Sequence, residues 1–217
     1  MNQIFCLKLI KALLFFGLII KITYASININ SGRLLSQIIN KSHPINPFNN
    51  SDRLSALCNI SFASIPGFKG YDYFPNIGFG FKVSKNLALE GGIFNKPSDN
   101  SFDQIISGGA QYFFGGADTL SWVSSVKKSS YNSIKNYNVS SVTFDISKWI
   151  NLKNKFFRFG FGSSFYKKNN FSNNSAGQIN FGFMNISIPV RVFQLGFGLE
   201  INQYSSLISM FIQKDFH

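Results

Sequence analysis

The chain has 217 residues, enough for one domain, and combines 26 phenylalanines with only 14% charged residues and a mean hydropathy of +0.06. A helical membrane protein of this size needs several long apolar runs; with a single run here, at the N-terminus, the totals suit a barrel better than a helix bundle. The formal charge of +12 suits a membrane surface, an acidic ligand or nucleic acid, or simply reflects a chain rich in Lys, Asn, Ile and Phe throughout.

Residues 1–25 read as a secretory signal peptide. Lys8 and Lys11 supply the positive n-region, 12–20 the apolar core, and Thr23, Tyr24 and Ala25 place small residues at the cleavage-determining positions. The rival is an uncleaved anchor helix, but Lys21 cuts the run short of a bilayer crossing. Cleavage after Ala25 removes Lys8, Lys11 and Lys21 and leaves a mature charge of about +9. Export argues against nucleic acid as a partner. Cleavage also removes Cys6, so Cys58 is the one mature cysteine: no internal disulfide and no cysteine-built metal site is available, and Cys58 reads as a small apolar strand residue.

Residues 26–53 form an N-terminal extension. His43, Pro44, Pro47 and the pair Asn49 and Asn50 mark an extended linker. A weakly apolar stretch over 33–40 admits a short helix or an extra strand, and the whole segment is expected outside the membrane.

From residue 54 onward the signal has period two, which means strands. Ala56, Cys58, Ile60 and Phe62 alternate with Leu57, Asn59, Ser61 and Ala63. Ile77, Phe79, Phe81 and Val83 alternate with Gly78, Gly80 and Lys82. After a short polar break at Lys85 and Asn86, Leu87, Leu89, Gly91 and Ile93 alternate with Ala88, Glu90 and Gly92. Ile106, Gly108, Ala110, Tyr112 and Phe114 oppose Ser107, Gly109 and Gln111; Leu120, Trp122 and Val126 lie on the next strand. Val142, Phe144 and Ile146 oppose Thr143, Asp145 and Ser147. Phe157, Phe159, Phe161 and Phe165 oppose Arg158, Gly160, Gly162, Ser164 and Tyr166. Ile179, Phe181 and Phe183 then give way to Met184, Ile186 and Ile188, a change of parity that a bulge or Pro189 at a sheet rim explains. Phe193, Leu195, Phe197, Leu199 and Ile201 oppose Gln194, Gly196, Gly198 and Glu200, and a last strand covers 206–216.

Strips of exposed phenylalanine are not expected on a soluble sheet unless something apolar covers them. With lipid as the cover, 54–217 reads as an all-β, antiparallel up-and-down transmembrane β-barrel of about ten strands, eight and twelve being the neighbouring counts. Strands of about 9–12 residues suit a tilted bilayer crossing. Short turns at 84–86, 115–118, 151–154 and near Pro189 alternate with longer loops at 65–72, 96–102, 127–137 and 167–176, the pattern of a barrel with periplasmic turns and external loops. A lipocalin-like soluble barrel is the fold-level alternative; it requires the phenylalanines inside and Arg158 and Glu90 in water.

The stretch FGFKVSKNLALEGGIF resembles the hairpins of small bacterial outer-membrane proteins of the OmpA-like β-barrel type, and the terminal LISMFIQKDFH is similar to the final strand that the barrel-assembly machinery reads in such proteins. That family pattern ends on an aromatic residue, whereas Phe216 is followed by His217. The resemblance implies a fold, a location in the bacterial outer membrane, and contact with lipid, lipopolysaccharide and the assembly machinery. It implies no activity.

Lys82, Glu90, Arg158 and Glu200 lie on the faces opposite the phenylalanines, hence in the lumen; on the lipid face Lys or Arg costs about 2–4 kcal/mol at mid-bilayer. Arg158 is expected to meet Glu90, Glu200 or both, in a lumen that is either filled by side chains or forms a selective pore. Gly78, Gly80, Gly160, Gly162, Gly196 and Gly198 make room there, and none belongs to a nucleotide-binding loop. Trp122, Trp149, Tyr73, Tyr112 and Tyr166 are candidates for an interfacial girdle, or for ordinary strand packing. Lys69, Lys96, Lys127, Lys128, Lys135, Lys167 and Lys168 would form a basic external rim. His43 and His217, the only histidines, lie away from any nucleophile on a strand, so no catalytic residue, metal site or cofactor is assigned. A barrel enzyme acting on lipid or protein would have to use carboxylates such as Asp72, Asp99 or Asp103. The leading expectation is a monomeric outer-membrane barrel with a structural or surface-interaction role through its loops; the runner-up is a narrow porin-like channel or small-molecule transporter.

Overall fold

A computed structural model describes residues 44–48, 54–64, 72–98, 101–116, 119–132, 137–153, 155–170, 174–203 and 205–216. The signal peptide and most of the extension lie outside the described residues. Ten strands follow in order: β1 (Leu54–Ser64), β2 (Asp72–Lys82), β3 (Leu87–Ser98), β4 (Ser101–Gly116), β5 (Thr119–Asn132), β6 (Tyr137–Leu152), β7 (Lys155–Asn170), β8 (Ser175–Val190), β9 (Phe193–Asn202) and β10 (Ser206–Phe216). Each pairs antiparallel with its sequence neighbours, and β1 pairs with β10 to close the barrel. Closure leaves no sheet edge unpaired, which a membrane-spanning sheet requires. Followed across the pairings, the register advances by about twelve residues in one circuit, a shear that tilts the strands by about 40°. Both termini of the wall lie at one end, the terminal end; the opposite end is the far end.

The faces fall as the alternation requires. Ile77, Phe79, Leu89, Phe144, Phe159, Phe161, Phe165, Phe197 and Met210 stand exposed on the outer wall, while Glu90, Gln111, Arg158 and Glu200 are buried inside. The rings are not gathered at the centre, so the lipocalin-like alternative is excluded. The outward glycine Gly91 is roofed by the ring of Phe79, its partner across the β2–β3 pair.

Three expectations are corrected. The segments 96–102, 127–137 and 167–176 are mostly strand, so β4, β6, β7 and β8 reach 16 residues and rise past the apolar band. The band ends where outward positions turn polar, as at Gln178 and Asn180 on β8, and the added length is the polar-walled part above it. Second, β8 has no register slip: its pairing with β7 and β9 is continuous. Ile179 and Phe181 are buried inside, and Met184 and Ile188 are exposed outside. The backbone keeps its phase and apolarity changes face, because the lumen near the far end is itself apolar. Third, Trp149 and Tyr166 are buried inside and take no part in a girdle. The other candidates Tyr112 and Trp122 do lie on the outer wall, at the terminal end, stacked with Phe114 at 6.3 and 6.4 Å, with Lys148 Nζ 5.2 Å from the Trp122 ring. On the opposite side of the barrel, at the same end, Lys214 lies 5.0 Å from the Phe216 ring and 5.7 Å from that of Phe193. Aromatic rings with a snorkelling lysine suit a membrane–water boundary.

Terminal-end turns are tight. Lys153 and Arg191 hold left-handed φ values of 47° and 55°, and Gly115 takes φ 152° at the irregularity between Phe114 and Gly116. The 83–86 turn is tied to β4 by Asn86, whose Nδ2 donates to the Phe113 carbonyl at 2.8 Å while its own carbonyl accepts from Phe113 N–H at 2.7 Å.

Candidate functional site

The lumen is layered. Reading inward positions from the terminal end, β5 gives Val123, Ser125, Lys127, Ser129 and Tyr131, and β6 gives Trp149, Ser147, Asp145, Thr143, Ser141 and Val139, all buried. On β4, β5 and β6 apolar residues stand at both ends and polar ones between, whereas β9 and β10 carry Gln194, Gln213 and Asp215, hydrogen-bonded to one another, at the terminal end. Ile105, Tyr131, Val139, Tyr166, Ile179, Phe181 and Leu207 close the far end from inside. Buried between the two ends, charge must find charge or hydrogen-bond partners.

Arg158 anchors that middle layer. It is 1% exposed, and its Nη2 contacts Asp145 Oδ1 at 3.2 Å while its Nε donates to Ser147 Oγ at 3.0 Å. The guanidinium also lies 4.9 Å from the Phe183 ring and 5.9 Å from that of Trp149. Ser125 Oγ donates to the other Asp145 oxygen, and Gln111 Nε2 donates to Glu90 Oε2 at 2.8 Å. Lys127 sits in the electrostatic field of Glu90, Asp145 and Glu200. Among the described residues, three cations (Lys82, Lys127, Arg158) and three carboxylates (Glu90, Asp145, Glu200) are buried inside the barrel, and Asp215 and Lys168 are half-buried on inward faces.

Lys82, Glu90, Arg158 and Glu200 are all buried on inward faces, and the pairing differs from the one expected. The ion pair of Arg158 is with Asp145, and Glu90 acts on the guanidinium through its electrostatic field. Arg158 is in register with Trp149, so its long side chain runs along β6 past Ser147 to Asp145, opposite Gly160 and Gly162. A Cβ at Gly160 would crowd Ser147 at 2.7 Å and Phe183 at 2.8 Å, and one at Gly162 would crowd Phe181 at 2.6 Å. The glycines thus admit the ring of Phe183 beside the guanidinium and that of Phe181 next to it. Lys127 is a lumen residue, not a loop lysine; its parity with Val123 and Ser125 was the available signal, hidden by the lack of an outward apolar row beyond Val126.

Lys82 stands apart, at the terminal mouth. Its Nζ donates to the Pro47 carbonyl at 2.7 Å and lies 4.9 Å from the Phe113 ring. Residues 44–48 of the extension enter this mouth. Ile45 is buried with Ala88, Phe113, Val123 and Trp149, and Phe48 stacks on Phe156 at 6.2 Å. Asn46 folds the segment on itself, its Oδ1 accepting from Phe48 N–H at 3.0 Å. These five residues are therefore a plug inside the wall, where a linker outside the membrane was expected.

No family model and no curated protein matches the sequence. Among solved structures, the chain is similar to the translocator domain of the autotransporter NalP from Neisseria meningitidis, at 9% identity and a TM-score of 0.46, covering 85% of this chain and 92% of that one. It is also similar to the KdgM porin, at 6% identity and 0.41, covering 75% and 99%. The N-terminal β-barrel domain of Pseudomonas aeruginosa OprF aligns at 8% identity and 0.35, covering 77% and 100%.

Proposed function

We propose that this chain is an integral outer-membrane β-barrel protein with a structural or surface-interaction role, working through its far end. It is exported behind a signal peptide cleaved after Ala25, inserted by the barrel-assembly machinery, and carries out no catalysis. The observation that carries this reading is the layered lumen: buried ions sealed by apolar side chains at one end, and by side chains plus residues 44–48 at the other. A conduit needs a continuous polar path, and the apolar layer at the far end interrupts one. The far-end extensions of β4 to β8, carrying Lys128, Lys167 and neutral amides and hydroxyls on their outer faces, are the surface available to a partner.

Planar-bilayer recording tests this directly. Purified protein is expected to give no discrete conductance steps. Steps whose size changes on Lys127→Gln or Glu200→Gln would replace this reading with the channel one.

A further inference from the structure

The outer wall of β7 and β8 carries a knob and a hole side by side. Phe161 stands 68% exposed, and its register partner on β8 is Gly182. A Cβ on Gly182 would meet nothing nearer than the Gly160 carbonyl at 3.9 Å, so the floor there is open. The groove over it, of about 710 Å³, is lined by Phe144, Phe161, Ser163, Asn180 and Gly182. The next outward pair toward the far end is polar, Ser163 with Asn180. Gln178 Nε2 donates to Ser163 Oγ at 2.8 Å and to Asn180 Oδ1 at 3.0 Å. Ser163 stands between the exposed rings of Phe161 and Phe165 on its own strand, so this cluster begins inside the apolar band. In both bonds Ser163 and Asn180 accept. The hydroxyl of the one and the amide N–H groups of the other are donors that hydrocarbon cannot satisfy.

An acyl chain would fill the groove and leave those donors unmet; a second copy of the chain meets both needs. Copies inserted into one membrane share an orientation, so a two-fold axis between them runs along the membrane normal. With that axis between β7 and β8, each residue of β7 faces its register partner on the other copy. The strand tilt offsets such partners by only about 3 Å along the axis, within the reach of a phenylalanine ring. Knob then meets hole and hydroxyl meets amide, twice over. Charge permits the contact: outward positions from Phe157 to Phe165 on β7 and from Ala176 to Ile188 on β8 carry no ionised side chain, in a chain of formal charge +12. The other outer groove, over Gly108, has Lys128 in its lining and would set like charges together.

We infer that two copies of this chain pack through the β7–β8 face as a two-fold dimer, the Phe161 ring of each seated over Gly182 of the other and Asn180 hydrogen-bonded to Ser163 across the axis. The inference rests on the membrane reading above and sets a defined pair in place of the monomer expected from sequence.

Sedimentation of the detergent-solubilised full chain, in micelles matched in density to the solvent, measures the protein mass. The wild type is expected to be a dimer that dissociates reversibly on dilution. Phe161→Gly alone leaves two holes facing, and Gly182→Phe alone two knobs; each is expected to weaken association by about tenfold. Together they exchange knob and hole, and the double variant is expected to recover to within about threefold of the wild type. Gly108→Phe, which puts the same ring into the other groove, is expected to leave association unchanged. Circular dichroism checks that each variant keeps its wall. A monomeric wild type, a double variant no stronger than the singles, or an equal loss on Gly108→Phe overturns the inference. A chain that stays monodisperse without detergent overturns the membrane reading itself.

Discussion

A guanidinium removed from water needs more than one partner, and Arg158 has a carboxylate, a hydroxyl and two ring faces around it. Removing the cation alone takes the ion pair away from Asp145, a carboxylate that is itself buried. Arg158→Met is therefore expected to destabilise by about 3–5 kcal/mol, and Arg158→Met with Asp145→Asn by markedly less. Urea unfolding from lipid vesicles measures both; equal losses would show that the pair is not coupled. The inward face of Arg158 was legible from the phenylalanines on either side of it. Its partner was not, because register places Arg158 beside Trp149 and only the reach of its side chain across the open ground at Gly160 and Gly162 brings in Asp145.

Residues 44–48 are the shortest described element and the least foreseeable. Pro44, Pro47 and the flanking asparagines are turn and linker residues, and nothing in their periodicity points to a receptacle. The receptacle is made by the barrel: Ala88, Phe113, Val123 and Trp149 come from four different strands. Placing a charge there should eject the segment. In a Trp122→Phe background, which leaves Trp149 as the only tryptophan, Ile45→Asp is expected to red-shift the emission and at least double its quenching by acrylamide. An unchanged spectrum would mean that Ile45 does not cover Trp149. The strands show the opposite case. Their number, order and outward faces follow from period two, while their length was underestimated wherever polar residues occupy both faces, as in Lys127–Asn132 of β5. A strand that leaves the bilayer keeps its hydrogen bonds but loses the need for an apolar side.

For the whole molecule, closure through β1 and β10 links every strand into one hydrogen-bonded ring. Such a ring has no fraying edge, so it resists detergents that unfold open sheets. Unheated protein in dodecyl sulfate is expected to migrate faster than the boiled chain, and deletion of 206–216, which removes β10, to abolish the difference. Identical migration before and after boiling would argue against a closed wall.

Alternation by itself determined that this chain is a β-barrel with phenylalanine outside and ions within, because a pleated strand sends successive side chains to opposite faces whatever the rest of the fold does. It could not determine which ion meets which, that Trp149 and Tyr166 turn inward, or that a piece of the extension fills the terminal mouth. Those outcomes depend on strand tilt, on accumulated shear and on which side chains share a cross-section of the closed wall, and no local stretch of sequence contains them.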